Sequence, residues 1–135
     1  GNEVLLSDVT NPQALTFRRA IKRQYKIVRA MFTDSIRVLE GSKDLSLDII
    51  DRDKEVDKLQ WFIERQFNMM LENSALGHKI SIPPSEAVFY SNVARYLERI
   101  ADHSCRLAAI GTEAGKASTN QVVGFATIAG YELSL

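Results

Sequence analysis

The chain has 135 residues, 45% of them hydrophobic and 25% charged, with 17 Lys/Arg balanced by 17 Asp/Glu. That length suits one domain with a real core, and the even charge excludes a nucleic-acid binder acting through a strongly basic body. One cysteine, Cys105, excludes an internal disulfide framework and fits a reducing, cytoplasmic setting. No run approaches the ~20 apolar residues of a membrane span, so contact with a membrane is peripheral at most.

In chain order, Asn11-Pro12 reads as a helix start, with Asn as cap and Pro at the first helical position. Phe17, Ile21, Tyr25, Val28, Phe32, Ile36 and Leu39 then recur at steps of three and four, which predicts a helix over 11–40 ended at Gly41-Ser42. This helix also carries Arg18, Arg19, Lys22, Arg23, Lys26 and Arg29, a run open to acidic partners or anionic lipid, although a charge run is usually a solvated face.

A second helix is expected over 44–74, with the stripe Leu45, Ile49, Val56, Leu59, Ile63, Phe67 and Met70. Its period is broken at Asp53, where a lone buried carboxylate would be costly without a partner. Trp61, Phe62 and Phe67 read as packing residues. After a loop ending at Pro83-Pro84, a third helix is expected over 84–110, with Tyr90, Val93, Leu97, Ile100, Ser104 and Leu107 on its stripe and Gly111 as its stop. The segment 112–135 reads as a tail with a short fourth helix from Ser118 to Tyr131. Three stripes of similar length predict an all-α fold, an antiparallel three-helix bundle occupying 1–135 as one domain.

The most specific chemistry lies in two acidic pairs at i,i+4. Asp53 and Asp57 share one face of the second helix; Glu98 and Asp102 share one face of the third. In an antiparallel pair joined near residue 79, facing positions sum to roughly 158, so the four carboxylates fall at one height. Like charges at i,i+4 repel unless a cation intervenes. Two cations are open: a metal, for which all-oxygen donors suit Mg, Mn, Ca or iron, or ion pairs from Arg95, Arg99, Arg106, Lys54 and Lys26. The chain has no Glu-x-x-His, which argues against a ferritin-like oxidase. His103 points roughly 100° from Asp102 by helical geometry and is assigned to the surface. Cys105 reads as an inert packed thiol. No nucleophile–base pair, glycine-rich phosphate loop or Cys/His zinc spacing supports an enzyme.

Leu97-Glu-Arg-Ile-Ala-Asp-His-Ser104 resembles the Leu-Glu-Arg-Ile-Gly-Asp-His-Ala stretch of the PhoU family, the regulators of phosphate uptake, and Ile49-Ile-Asp-Arg-Asp-Lys-Glu-Val-Asp57 resembles the acidic motif on that family's preceding helix. The likeness spans about residues 15–110. It implies three-helix bundles, usually two in tandem, and a metal-binding Glu/Asp-x-x-x-Asp motif that falls here on Asp53, Asp57, Glu98 and Asp102, with Fe, Zn, Mn or Mg as the ion or cluster. It also implies a non-enzymatic adaptor working with a phosphate-transporter ATPase and a sensor kinase.

Arg106 stands where members commonly have Asn, Pro84-Ser-Glu-Ala87 replaces a common Asp-Leu-Arg, and one bundle is present rather than two. The single bundle leads us to expect a homodimer or larger assembly, or a fragment of a longer regulator with a DNA-binding domain elsewhere and no nucleic-acid contact through this one. The alternatives are a metal-dependent carboxylate-bundle enzyme or metal-binding protein, and a purely structural oligomerisation module.

Overall fold

The computed structural model describes residues 12–72 and 82–113. Three long helices fill them: α1 Pro12–Leu39, α2 Ser46–Glu72 and α3 Pro84–Glu113. At 1.5 Å per residue they run for about 42, 41 and 45 Å. No strand occurs among the described residues. Arg18 near the start of α1 bonds Glu86 near the start of α3, while Ser46 opening α2 meets Thr112 closing α3 at 2.6 Å. α1 and α3 therefore run parallel and α2 antiparallel to both, as the sequence predicts. Asn11 and the expected fourth helix lie outside the described residues.

Gly41 ends α1 by a specific device. Its φ of 123° is left-handed, its N–H donates to Val38 O, and Ser42 N–H donates to Arg37 O. These two bonds satisfy carbonyls that the helix end leaves free, and glycine adopts that φ without a Cβ penalty. A single 3₁₀ turn, Lys43–Leu45, then leads into α2, which begins two residues later than the stripe predicts.

The core departs from the predicted stripes in an instructive way. In α2 the buried residues are Ile49, Val56, Ile63 and Met70, one every seven, and all were on the stripe. In α1 the buried residues among those described are Phe17, Ala20, Ile21, Gln24, Val28, Met31, Ser35 and Val38, while Tyr25 stands 50% exposed. Apolar periodicity passes over Gln24 and Ser35 because they are polar. Both are fully buried: Gln24 Nε2 donates to Gln60 Oε1 and to Ala94 O, its Oε1 staying without a partner among the described residues, and Ser35 Oγ donates to Phe32 O.

In α3 the buried face is built of small residues, with Ala87, Ser91, Ala94, Ala101, Ser104, Ala108 and Gly111 around Leu97 and Leu107. Such a face lets neighbouring helices approach closely. Gly111 is not the stop: α3 runs on to Glu113, and a Cβ at residue 111 would meet Val38 Cγ1 at 2.9 Å and the Leu39 amide nitrogen at 3.1 Å. The core falls into two halves. One gathers Phe17, Ile21, Ile63, Met70 and Ile82, the other Val28, Met31, Val38, Ile49, Val56 and Leu97, with Val93 packed against both.

Candidate functional site

The two acidic pairs come together along the seam between α2 and α3, beside the half of the core that holds Val56 and Ala101. Helical spacing explains it. Asp53 and Asp57 flank the buried Val56, and Glu98 and Asp102 flank the buried Ala101, so each pair sits on the shoulder of its helix nearest the other. Asp53, Glu98 and Asp102 are half-buried and Asp57 is exposed.

Their proximity shows in their proton affinities. Asp53 is raised above its ordinary value first by burial, then by the charges of Asp57 and Asp102. Glu98 is raised by burial, by the charge of Asp102 and a hydrogen bond with it, and then by Asp57 and Asp53. Oδ1 of Asp53 is buried with no hydrogen-bond partner among the described residues.

The ion pairs that the sequence offers for neutralising this cluster do not form. Arg95 reaches Glu64 instead, and Lys54 turns to Asp51. Arg99 and Arg106 are exposed, and no described Lys or Arg pairs with Asp53, Asp57, Glu98 or Asp102. Basic side chains are drawn across helix boundaries: Arg52 bridges Asp34 on α1 and Asp48 on its own helix, and Arg23 of α1 bonds Glu55 of α2. Left without an ion pair among the described residues are the four at the seam and, at or beside helix ends, Glu40, Asp44, Glu72 and Glu113.

Cys105 belongs to this neighbourhood, which its position one helical turn after Ala101 could have signalled. It packs against the Val56 half of the core, and its thiol is pushed up to about 11 by burial and then by Asp53, Asp102 and Asp57. His103 is exposed, as expected. Trp61, expected to pack, is 61% exposed instead, because it lies opposite the Ile49–Met70 line; the Arg65 guanidinium stacks 5.2 Å over its ring. Phe62 and Phe67 do pack against the core.

The donor chemistry suits a hard cation, and the orphaned Asp53 Oδ1 is the kind of atom such an ion would satisfy. Among the described residues, however, no three His, Cys, Asp or Glu side chains are grouped closely enough to hold an ion. The seam therefore offers an unneutralised row of oxygens rather than a closed ligand shell.

Asp53→Asn and Glu98→Gln are each expected to raise the melting temperature near neutral pH, by a few degrees at most given solvent screening. The sign follows from linkage. A carboxylate raised in the folded state binds its proton more tightly there than in the unfolded chain, so stability falls as pH rises from the ordinary carboxylate value through the raised one. Either amide should flatten that fall in melts taken from acid to neutral pH. A lower melting temperature for both would show the carboxylates to be stabilising.

The sequence matches the family model for the PhoU domain over residues 21–110, which takes in both acidic pairs. Neither a curated protein nor a solved structure gives a match. No helix among the described residues is long and apolar enough to cross a membrane. With a family model covering most of its length, a three-helix bundle and both acidic motifs at one seam, the chain belongs to the PhoU family, whose members regulate phosphate uptake.

Proposed function

We propose that this chain is a regulatory adaptor of phosphate uptake, acting in the cytoplasm by contact with a phosphate-transporter ATPase or a sensor kinase. The observation that carries the reading is the seam: four carboxylates on the family's motif positions, with no described Lys or Arg paired to them. A surface left negative in this way suits a basic partner; to hold Fe, Zn, Mn or Mg, Asp53, Asp57, Glu98 and Asp102 would have to close in from the spacing they have here. The ion would supply positive charge that offsets their mutual repulsion and desolvation. Exposed Leu47, Ile50 and Trp61 on α2, and Phe89 and Tyr96 on α3, support protein contact, including the homodimer expected of a single bundle.

Two measurements test the two parts. The chain used as bait should retain a phosphate-transporter ATPase or sensor kinase, and Asp57→Lys/Glu98→Lys should weaken that retention; failure to retain either would remove the adaptor role. Melts with Mn, Fe and Zn should show a metal-dependent rise that is lost in Asp53→Asn/Asp102→Asn. No shift with any of the metals would end the metal part and leave the adaptor part standing.

A further inference from the structure

The outward face of α1 carries a second charge feature, independent of the seam. Arg19, Lys22, Lys26 and Arg29 follow one another at steps of three, four and three, so they form one stripe along the helix. The stripe lies opposite the buried Phe17, Gln24, Val28 and Met31, and all four cations are exposed. It spans about 15 Å at 1.5 Å per residue. Neighbouring arginines are engaged, Arg18 with Glu86, Arg23 with Glu55 and Arg37 with Asp34. None of the four stripe cations has an ion pair among the described residues, and no Asp or Glu occurs in α1 before Asp34.

What meets this face can be narrowed by the rest of the molecule. The four seam carboxylates sit on the other side of the bundle, and the other described carboxylates without an ion pair, Glu40, Asp44, Glu72 and Glu113, lie at or beside helix ends. A second copy placing its seam on the stripe would leave its own stripe free, and such head-to-tail contacts close only into rings or run on as filaments. A folded protein partner is usually anchored by buried aromatic or aliphatic side chains. Here the exposed large apolar residues lie on α2 and α3, except Tyr25, which borders the stripe as neighbour of Lys22 and Arg29. A flat anionic surface needs no anchoring pocket, and a half-exposed tyrosine beside cations suits the boundary between headgroups and water.

We infer that the outer face of α1 is an electrostatic contact for an anionic lipid bilayer, with Arg19, Lys22, Lys26 and Arg29 meeting phosphate-bearing headgroups. Each Lys or Arg near such a surface contributes ~1 kcal/mol, about a fivefold gain in binding. The contact is additive, without deep insertion, and weakens as salt screens it.

The test is co-sedimentation of the full chain with phosphatidylcholine vesicles, with and without phosphatidylserine. Binding is expected only with phosphatidylserine, falling steeply with added salt. Lys22→Glu/Lys26→Glu should weaken it by about tenfold or more, with an unchanged circular dichroism spectrum. Arg99→Glu/Arg106→Glu makes the same charge change on α3 and should leave most of the binding. Four results would overturn the inference: no binding to either vesicle; equal loss in the α3 variant, which would reduce the effect to net charge; displacement by millimolar inorganic phosphate at constant ionic strength, which would point to a site for the free anion; or tighter binding to duplex DNA than to the vesicles.

Discussion

Gly111→Val is expected to destabilise the bundle by about 3 kcal/mol, the upper part of the range for overpacking a tight contact. A Cβ at residue 111 would stand 2.9 Å from Val38 Cγ1 and 3.1 Å from both the Leu39 nitrogen and the Val38 carbonyl carbon. The Val38 methyl can rotate aside, but the backbone atoms cannot, so α3 must move away from the end of α1. The alanine variant discriminates further, through its sign. A glycine inside a helix that touches nothing gains ~1 kcal/mol on replacement by alanine. Here the steric cost opposes that gain, so Gly111→Ala should be neutral or destabilising, and Val38→Ala in the same chain should restore part of the loss. Denaturant melts measure all three. A Gly111→Ala protein that melts several degrees higher would show that α1 and α3 do not meet there.

The second large effect concerns Cys105. With its thiol pushed up to about 11 from an ordinary 9.0, its thiolate fraction near neutral pH is lower by roughly a hundredfold. Because the thiolate is the reacting species, alkylation of the native protein should be slower than that of the denatured chain, by about tenfold once the greater nucleophilicity of a more basic thiolate is counted, half-burial adding to it. Burial is the larger cause and Asp53 the largest charge. Asp53→Asn should therefore speed the reaction without bringing it to the denatured rate. Equal rates for native and denatured protein would remove the thiol from the seam.

The fold was largely legible because helix ends and stripes are local properties. Pro12, Gly41 and Pro84 mark boundaries through backbone chemistry that needs no tertiary context, and the seven-residue spacing of Ile49, Val56, Ile63 and Met70 is visible in any window. What could not be read is what depends on partners. Gln24 looks like a surface residue until the acceptors at Gln60 and Ala94 are in place. Gly111 looks like a stop until α1 is set against it.

The same holds for the seam. Spacing and antiparallel register brought Asp53, Asp57, Glu98 and Asp102 to one height. Of the side chains offered to neutralise them, all but Lys26 were arginines and a lysine one turn away along the same helix. Long basic side chains reach across helix boundaries as easily as along them, and Arg95 found Glu64 on α2 instead. A sequence gives the supply of countercharge; only the packed bundle decides where it goes.

The buried Gln24 amide has a consequence for alignment. With α2 repeating its apolar positions every seven residues, a bundle in which one helix had slid by seven would bury almost the same side chains, and apolar packing alone would barely tell the two apart. Gln24 tells them apart. Its amide nitrogen donates to Gln60 on α2 and to the Ala94 carbonyl on α3, while its Oε1 is buried with no partner among the described residues. Were α2 to slide by seven residues, Asp53 or Phe67 would take the place of Gln60, and with Phe67 there the amide would lose one of its two acceptors, at about 0.5–1.5 kcal/mol. Such a slide would also carry Asp53 and Asp57 about 10 Å away from Glu98 and Asp102. One interior hydrogen bond from α1 to α2 thus favours the observed helix setting, and with it the level position of four acidic side chains that it does not touch.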